Sequence, residues 1–187
     1  MYHHLSNFTL ILPLLRKFFL SLSVLKTKIM FEANVYINRR RVLLEQMASR
    51  TAEGNRGIAI FLGNVDAPTN YRGNDYKFRQ DSSFIYYWGI DEPWFAAVLD
   101  LDSGDECLYG NDVDIDDIIW MGPQPSVASK GEAIGCAKTQ PLAEFDKAVT
   151  AAVYAGRPVH FLPPARYYNQ MKLSQLTSVS FSTSHLK

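Results

Sequence analysis

The spacing of apolar positions predicts an amphipathic helix that begins near Asn34. Tyr36, Leu43 and Met47 recur at intervals that place them on one helical face, with Leu44 beside them. This face is expected to pack against the rest of the domain.

Three consecutive arginines, Arg39 to Arg41, fall within this helix. A basic run invites a nucleic-acid interpretation, but on an amphipathic helix it is usually a solvated face. We therefore expect all three arginines to face solvent. Gly54, Asn55 and Gly57 predict the end of the helix.

Short apolar runs bounded by turn residues predict the strands of a sheet. Ile58 to Leu62 is suited to a buried strand, and Val159 to Leu162 is predicted as the last one. Ala97 to Leu101 and Glu106 to Tyr109 are joined by Ser103-Gly104-Asp105, which is typical of a hairpin turn. Strands linked in this way predict a meander in the middle of the sheet.

An unbroken aromatic and apolar run extends from Phe84 to Trp88. It has no polar partner at period two, so a strand formed from it would be covered on both faces. We therefore predict a central strand here. Gly89, followed by Asp91, Glu92 and Pro93, predicts a tight turn after it.

Two further helices are predicted in the second half of the chain. Ser126 can cap a short helix that ends at Gly135, and Pro141 can begin a longer one that ends at Gly156. The apolar face of the longer helix comprises Leu142, Phe145, Val149 and Val153. The alternation of strands and helices predicts an α/β domain.

Composition indicates one soluble globular domain. The chain has 187 residues, 47% hydrophobic and 20% charged, with a formal net charge of zero. This charge gives no electrostatic argument for nucleic acid or for an anionic membrane as a partner. Cys107 and Cys136 have no paired spacing typical of a zinc or redox motif, so we expect reduced thiols in a cytoplasmic protein.

The two ends of the chain differ in pattern from the middle. Within residues 1–29, two apolar blocks are split by Arg16-Lys17, so neither reaches the ~18 apolar residues that a membrane helix needs. The charge placement does not fit a signal peptide either. We expect a leader outside the domain with Met30 as the native start, a weak membrane anchor being the alternative. Residues 177–187 are rich in serine and threonine and are interpreted as a divergent tail.

No catalytic constellation is visible, and we predict no catalytic or metal-binding residue. The histidines do not share helical metal spacing within the domain, and no serine lies in a nucleophile elbow. The acidic run Asp112 to Asp117 fails as a calcium loop, because its sixth position is Asp117 and its twelfth is Pro123. We favour a solvated strand edge or helix entry. A metal-dependent hydrolase using these carboxylates stays open as the less favoured alternative.

The segment Phe78-Arg79-Gln80-Asp81-Ser82 precedes the aromatic run, and Gly89, Glu92 and Pro93 follow it. This arrangement resembles the N-terminal domain of aminopeptidase P, the Xaa-Pro aminopeptidase of the creatinase or pita-bread metallopeptidase family. Asn70-Tyr71, Asp112 to Trp120 and Met121-Gly122-Pro123 continue the resemblance in order. It covers about Phe31 to Leu176 and implies a domain at residues 30–176.

The resemblance implies a mixed sheet flanked by helices, a creatinase-like N-terminal fold related to ribonuclease H. It also implies a parent reaction in which a residue preceding proline is removed by a dinuclear, usually manganese, centre in a C-terminal pita-bread domain. That domain is absent from the 187 residues, so we expect the chain alone to bind no metal and to be inactive.

By resemblance, the N-terminal domain serves oligomerisation and formation of the active-site cleft. Its expected partners are a homo-oligomer or its own catalytic domain, and proline-containing peptides in the whole enzyme. A dimerisation or regulatory module without activity is the alternative.

Some roles are implied for single residues. Trp120 corresponds to the tryptophan that in relatives reaches a neighbouring subunit's substrate pocket, although filling the local core is an equal alternative. Gly73 stands where relatives commonly place an acidic residue that helps to shape the substrate entrance, so the chain departs from the family pattern at this position. We expect structural roles for Arg79, bonded to carbonyls or a carboxylate, and for Asp81, capping local amides.

Overall fold

The fold is a five-stranded mixed sheet covered by helices on both faces. A computed structural model describes residues 29–51, 54–71, 73–114, 118–119 and 122–181. The strands are β1 (Ile58–Leu62), β2 (Ala96–Asp100), β3 (Glu106–Tyr109), β4 (Thr139–Gln140) and β5 (Val159–His160). The helices are α1 (Ala33–Ala48), α2 (Ser82–Trp88), α3 (Val127–Ala133), α4 (Leu142–Tyr154) and α5 (Tyr167–Thr177).

The strand order in the sheet is β4-β3-β2-β1-β5. The three central strands form an antiparallel meander, whereas each outer strand joins its neighbour in parallel. The predicted strands at β1, β2 and β3 are therefore confirmed. The last strand is shorter than predicted, and β4 was not predicted because two residues carry no period.

Side chains alternate along the strands and fill two separate cores. Ala59, Phe61 and Leu99 point to the face covered by α1, α2 and α3. Ile58 and Ile60 point to the opposite face, which α4 and α5 cover. The predicted α/β class, with a mixed sheet flanked by helices, is confirmed.

The aromatic run predicted as the central strand is instead the helix α2. Phe84 and Trp88 lie one helical turn apart and are both fully buried, whereas Tyr86 between them is half exposed. Asp81 caps the start of α2, and Gly89 ends it in a left-handed conformation with φ 68°. The prediction of a strand at Phe84 to Trp88 was wrong because the exposed and half-buried positions of this helix also carry large apolar or aromatic side chains, so no polar residue marks the helical period.

The three arginines of α1 do not share one solvated face. Arg40 is completely buried, and its guanidinium donates to Glu106 Oε2 at 2.8 Å and to the carbonyls of Tyr87 and Ile134. Arg39 is partly buried beside the ring of Tyr86. Only Arg41 is exposed, so the expectation was wrong for the other two.

The helices predicted from Ser126 and Pro141 are confirmed as α3 and α4. The helix α5 was not predicted, and its last residue, Thr177, lies one position beyond the proposed end of the domain. Residues 1–28 and 182–187 lie outside the described residues. Across the segments that the structure describes, no helix is both long and apolar enough to cross a membrane.

Candidate functional site

The side chain of Gln80 connects three segments at one end of the sheet. Its Oε1 accepts hydrogen bonds from the amides of Asn64 (2.6 Å) and Asp81 (2.9 Å). Its Nε2 donates to the carbonyls of Glu92 (2.7 Å) and Ile90 (3.3 Å). Gln80 is only 3% exposed, so these bonds replace water for a side chain that would otherwise be costly to bury.

Two buried asparagines extend this arrangement. Asn64 Nδ2 donates to the carbonyl of Arg79 at 2.9 Å, and Asn64 Oδ1 accepts from Asn169 Nδ2 at 3.3 Å. Asn169, in the first turn of α5, also donates to the carbonyl of Gly63 at 3.2 Å. We call Asn64, Gln80 and Asn169 the buried amide cluster. It connects the segment after β1 to the residues that precede α2 and to α5.

Asp81 and Ser82 begin the helix α2. Asp81 Oδ1 accepts from the amides of Ser83 (2.9 Å) and Phe84 (3.0 Å), which is the capping geometry of a helix N-terminus. Ser82 is exposed. The side chain of Arg79 is exposed as well, and only its backbone carbonyl makes a hydrogen bond, which it accepts from Asn64. Within the described residues, the partner expected for the Arg79 side chain is therefore not found.

The residues after α2 are fixed by backbone shape and by an ion pair. A Cβ atom at Gly89 would lie 2.3 Å from the ring of Tyr36, so the close approach of α1 requires glycine here. Glu92 Oε2 accepts from Lys130 Nζ at 2.6 Å, and Lys130 is buried with its ammonium 5.3 Å from the centre of the Phe95 ring. Pro93, the next residue after Glu92, is partly buried.

Trp94 adopts an uncommon backbone conformation next to these residues. Its φ of 65° lies in the left-handed region, which disfavours residues other than glycine. The indole Nε1 donates to Asp66 Oδ2 at 3.0 Å, and the ring meets Tyr168 edge to face at 5.9 Å between centroids. Non-glycine residues held in this way concentrate at functional sites.

A groove of about 310 Å³ lies beside Trp94 and Tyr168. Residues 65–68 form one wall, and residues 166–169 at the start of α5 form the other. We call it the aromatic groove. It is a candidate binding site because it is concave, is lined by Tyr167 and Tyr168, and includes Asn169 of the buried amide cluster.

The structure describes only part of the acidic run and does not describe Trp120. Asp112 and Asp114 are described, whereas residues 115–117 and Trp120 lie outside the described residues. Asp112 Oδ1 accepts from the amide of Val127 at 2.6 Å, which places it at the start of α3. The proposed role of Trp120 therefore stays a prediction.

The described residues do not supply the ligand set of a metal centre. Within these segments, no three side chains of histidine, cysteine, aspartate or glutamate converge. Both cysteines are buried free thiols, and burial raises the pKa of Cys136 to about 11. Burial likewise raises the pKa of Cys107, so neither thiol is poised for nucleophilic or metal chemistry.

Sequence reasoning singled out the segment around Gln80 but missed the residues that it supports. Asn64, Asn169 and Trp94 lie far apart in sequence and follow no common period. One local signal was available, since a tryptophan directly after Glu92-Pro93 lies in a turn where large aromatic side chains are uncommon.

Comparison with known families identifies the family of the chain. The sequence model of the family described as "Aminopeptidase P, N-terminal domain" matches residues 36–160. The chain belongs to this family. The segment around Gln80 and the whole sheet up to β5 lie within the matched range.

Two curated proteins are similar to part of this chain. Xaa-Pro aminopeptidase 3 of Mus musculus is 30% identical over 114 residues, which is 57% of this chain and 22% of the mouse protein. Xaa-Pro dipeptidase of Pongo abelii is 26% identical over 115 residues, 62% of this chain and 23% of that protein. The chain thus matches less than a quarter of the length of these relatives.

Solved structures of aminopeptidase P share the fold. Aminopeptidase PepP of Pseudomonas aeruginosa has a TM-score of 0.63 at 22% identity, over 79% of this chain and 32% of that one. The low-pH form of aminopeptidase P from E. coli has a TM-score of 0.60 at 21% identity, over 78% and 32%. The creatinase-like fold implied by the resemblance is therefore confirmed.

Proposed function

We propose that this chain forms the N-terminal domain of a cytoplasmic, manganese-dependent Xaa-Pro aminopeptidase. The family match over residues 36–160 carries this proposal, and the names of the relatives supply the reaction. In this proposal residues 30–176 are the domain, and the metal ligands come from a C-terminal domain of the kind implied by the resemblance. The domain itself contributes to subunit association and to one wall of the substrate cleft.

The buried amide cluster supports a role in shaping a cleft. It holds the segment after β1, the segment before β2 and the start of α5 in one rigid unit at the same end of the sheet. Binding sites held on such connected polar contacts keep their geometry without a cost of ordering on binding. This end of the sheet also carries the exposed aromatic residues Trp94, Tyr167 and Tyr168.

The proposal is tested on the full-length product of the native gene. With manganese, it is expected to hydrolyse peptides with proline in second position, and deletion of residues 30–176 is expected to raise KM. Hydrolysis with an unchanged KM after deletion would contradict a cleft role. Light scattering on the same two proteins measures association, and the deletion is expected to lower the oligomer size.

Trp120 provides a sharper test of the cleft wall. In the same enzyme, Trp120→Ala is expected to raise KM for Xaa-Pro peptides about tenfold, the usual cost of removing an aromatic anchor, with kcat little changed. Trp120→Phe keeps a ring and is the matched control. Equal KM values for the wild type and Trp120→Ala would show that this residue has no part in substrate binding.

A further inference from the structure

The helix α4 leaves a cavity between its later turns and the sheet. Nearer its start, the large side chains of Phe145 and Val149 are fully buried, and the Phe145 ring meets Tyr109 edge to face. Toward its end, the helical positions that line the space over the sheet are all alanines, namely Ala148, Ala151, Ala152 and Ala155. Because these side chains are small, they leave a cavity of about 320 Å³, which we call the alanine cavity.

The floor of the alanine cavity is apolar. Ile58, Val98 and Cys107 come from the three neighbouring strands β1, β2 and β3, and all three side chains are buried. Burial raises the pKa of the Cys107 thiol, which therefore stays uncharged and contributes a small apolar surface. A concave site with such a floor favours an apolar group in its ligand.

Two oppositely charged side chains flank Cys107 at the mouth of the cavity. Asp105 lies two positions before Cys107, so its side chain leaves the same face of the sheet. The register that pairs Leu108 with Thr139 places Lys138 beside Cys107 on the neighbouring strand. With strands about 4.8 Å apart and a rise of about 3.3 Å per residue, the Cα atoms of Asp105 and Lys138 are roughly 8 Å apart. An acidic and a basic group thus stand side by side over the apolar floor.

Both of these charges are uncompensated. Within the described part of the chain, neither Asp105 nor Lys138 forms a salt bridge. The other charged residues of the lining are already engaged in ion pairs, namely Arg157 with Asp100 and Glu106 with Arg40. A simple anion or cation would leave one of the two free charges unpaired, whereas a ligand that carries both signs close together can pair with both.

We propose that the alanine cavity binds a free α-amino acid with an aliphatic side chain. The side chain lies between the alanines of α4 and the apolar floor, the ammonium group pairs with Asp105, and the carboxylate pairs with Lys138. The cavity lies at the opposite end of β1 from the buried amide cluster. Binding there involves neither a metal nor hydrolysis, so the inference goes beyond the proposed function and fails separately from it.

The test uses the 187-residue chain labelled with ¹⁵N and the amino acid L-leucine. Titration is expected to shift the amide signals of Cys107 and Ala152 and to saturate. Two analogues each lack one charge, since 3-methylbutylamine has no carboxylate and 4-methylpentanoate has no ammonium group. Each is expected to bind about threefold more weakly, because ion pairs with the exposed Asp105 and Lys138 are partly screened. Glycine is expected to bind at least about tenfold more weakly, because it has no side chain to bury.

Variants assign the binding to the alanine cavity. Asp105→Asn is expected to abolish the difference between L-leucine and 4-methylpentanoate, and Lys138→Gln the difference between L-leucine and 3-methylbutylamine. Ala148→Leu fills the cavity and is expected to weaken binding of L-leucine at least about tenfold. Ala143→Leu and Lys147→Gln are the matched controls, because both residues are exposed on α4 and neither lines the cavity. Binding should not change in either control.

Three outcomes would overturn the inference. One is an absence of saturable shifts with L-leucine in a chain that unfolds cooperatively on heating. Another is equal affinity for L-leucine and its two analogues. The third is an unchanged affinity in Ala148→Leu. If Ala148→Leu does not fold, Asp105→Asn and Lys138→Gln decide, because preferences among the three ligands that stay unchanged in both variants would equally refute this binding mode.

Discussion

Gln80 uses every hydrogen-bonding position of its amide. Two backbone amides donate to its oxygen and two backbone carbonyls accept from its nitrogen. This pattern fixes the orientation of the side chain. If the amide were rotated by 180°, its NH2 group would meet the two backbone N–H donors and its oxygen would meet the two carbonyls. Neither glutamate nor an apolar residue can reproduce all four bonds.

Replacement of Gln80 by methionine tests this role at nearly constant volume. The amides of Asn64 and Asp81 would lose a buried acceptor, and we expect the free energy of unfolding to fall by about 2–3 kcal/mol. Urea unfolding measures the change. Arg79→Met is the matched control, since that side chain is exposed, and it should leave the midpoint nearly unchanged. A midpoint in Gln80→Met equal to that of the control would disprove the structural role.

The sequence around Gln80 was sufficient to identify the family but not the contacts. Asp81 was expected to cap local amides, and the hydrogen bonds to Ser83 and Phe84 show that geometry. Arg79 was expected to find side-chain partners, yet the side chain that is buried is its neighbour, Gln80. Which of two adjacent polar residues turns inward depends on backbone direction, which local pattern does not determine.

At the scale of elements, α2 shows that an apolar run alone does not distinguish a helix from a strand. Aromatic residues favour strands in isolation, and the run from Phe84 to Trp88 consists of aromatic residues and one isoleucine. Two boundary signals favoured a helix, namely Asp81 before the run and Gly89 after it. Buried Phe84 and Trp88, four positions apart, then fix which face packs against the sheet.

The cap of α2 makes a separable contribution. Asp81→Ala removes the acceptor for two amides at the start of the helix, and we expect a loss of about 1 kcal/mol in unfolding free energy. Asp81→Asn keeps a side-chain acceptor and should lose much less. Thermal unfolding followed by circular dichroism measures both variants, with Ser82→Ala as an exposed control. Equal melting temperatures for Asp81→Ala and Asp81→Asn would argue against capping.

Elements with a clear period or a hairpin turn were predicted correctly, as for α4 and the pair β2 and β3. The missed elements have a different origin. The strand β4 has two residues and exists because it pairs with β3, and α5 has a weakly patterned surface whose buried residues include Asn169. Both depend on tertiary contacts that no local pattern contains.

At the scale of the whole molecule, Arg157 connects the ends of several elements. Its guanidinium donates to Asp100 at 2.8 Å, to Asp102 at 2.9 Å and to the carbonyl of Gly57 at 3.2 Å. It therefore joins the segment before β5 to the start of β1 and the end of β2. This group lies at the opposite end of β1 from the buried amide cluster.

Both carboxyl groups have pKa values below their usual range. Burial raises the pKa of Asp100, but hydrogen bonds from Arg157 and from the amides of Ser103 and Asp102 outweigh burial and lower it. The amide of Arg56 and the Arg157 guanidinium lower the pKa of Asp102. A lowered native pKa contributes stability above the unfolded value, about 3.9, which is lost as pH falls through the native value.

Arg157→Ala should therefore lower the melting temperature most at about pH 6–7. The difference from wild type is expected to shrink below about pH 4, as the two carboxyl groups become protonated. Melting curves between acidic and neutral pH measure this. Lys147→Ala removes an exposed pair with Glu144 and should give a small difference. If the difference in melting temperature between Arg157→Ala and the wild type stays constant across this pH range, the coupling to Asp100 and Asp102 is contradicted.

The parallel pair of β1 and β5 also has a consequence during synthesis. Ile58 pairs with Val159, so 101 positions (159 − 58) separate the two partners, whereas the antiparallel partner β2 follows much sooner. At about 5–20 residues per second, a ribosome needs roughly 5–20 s to extend the nascent chain from β1 to β5. During this interval one edge of the apolar strand β1 is without its partner, and an unpaired strand edge of this kind is prone to association with other chains.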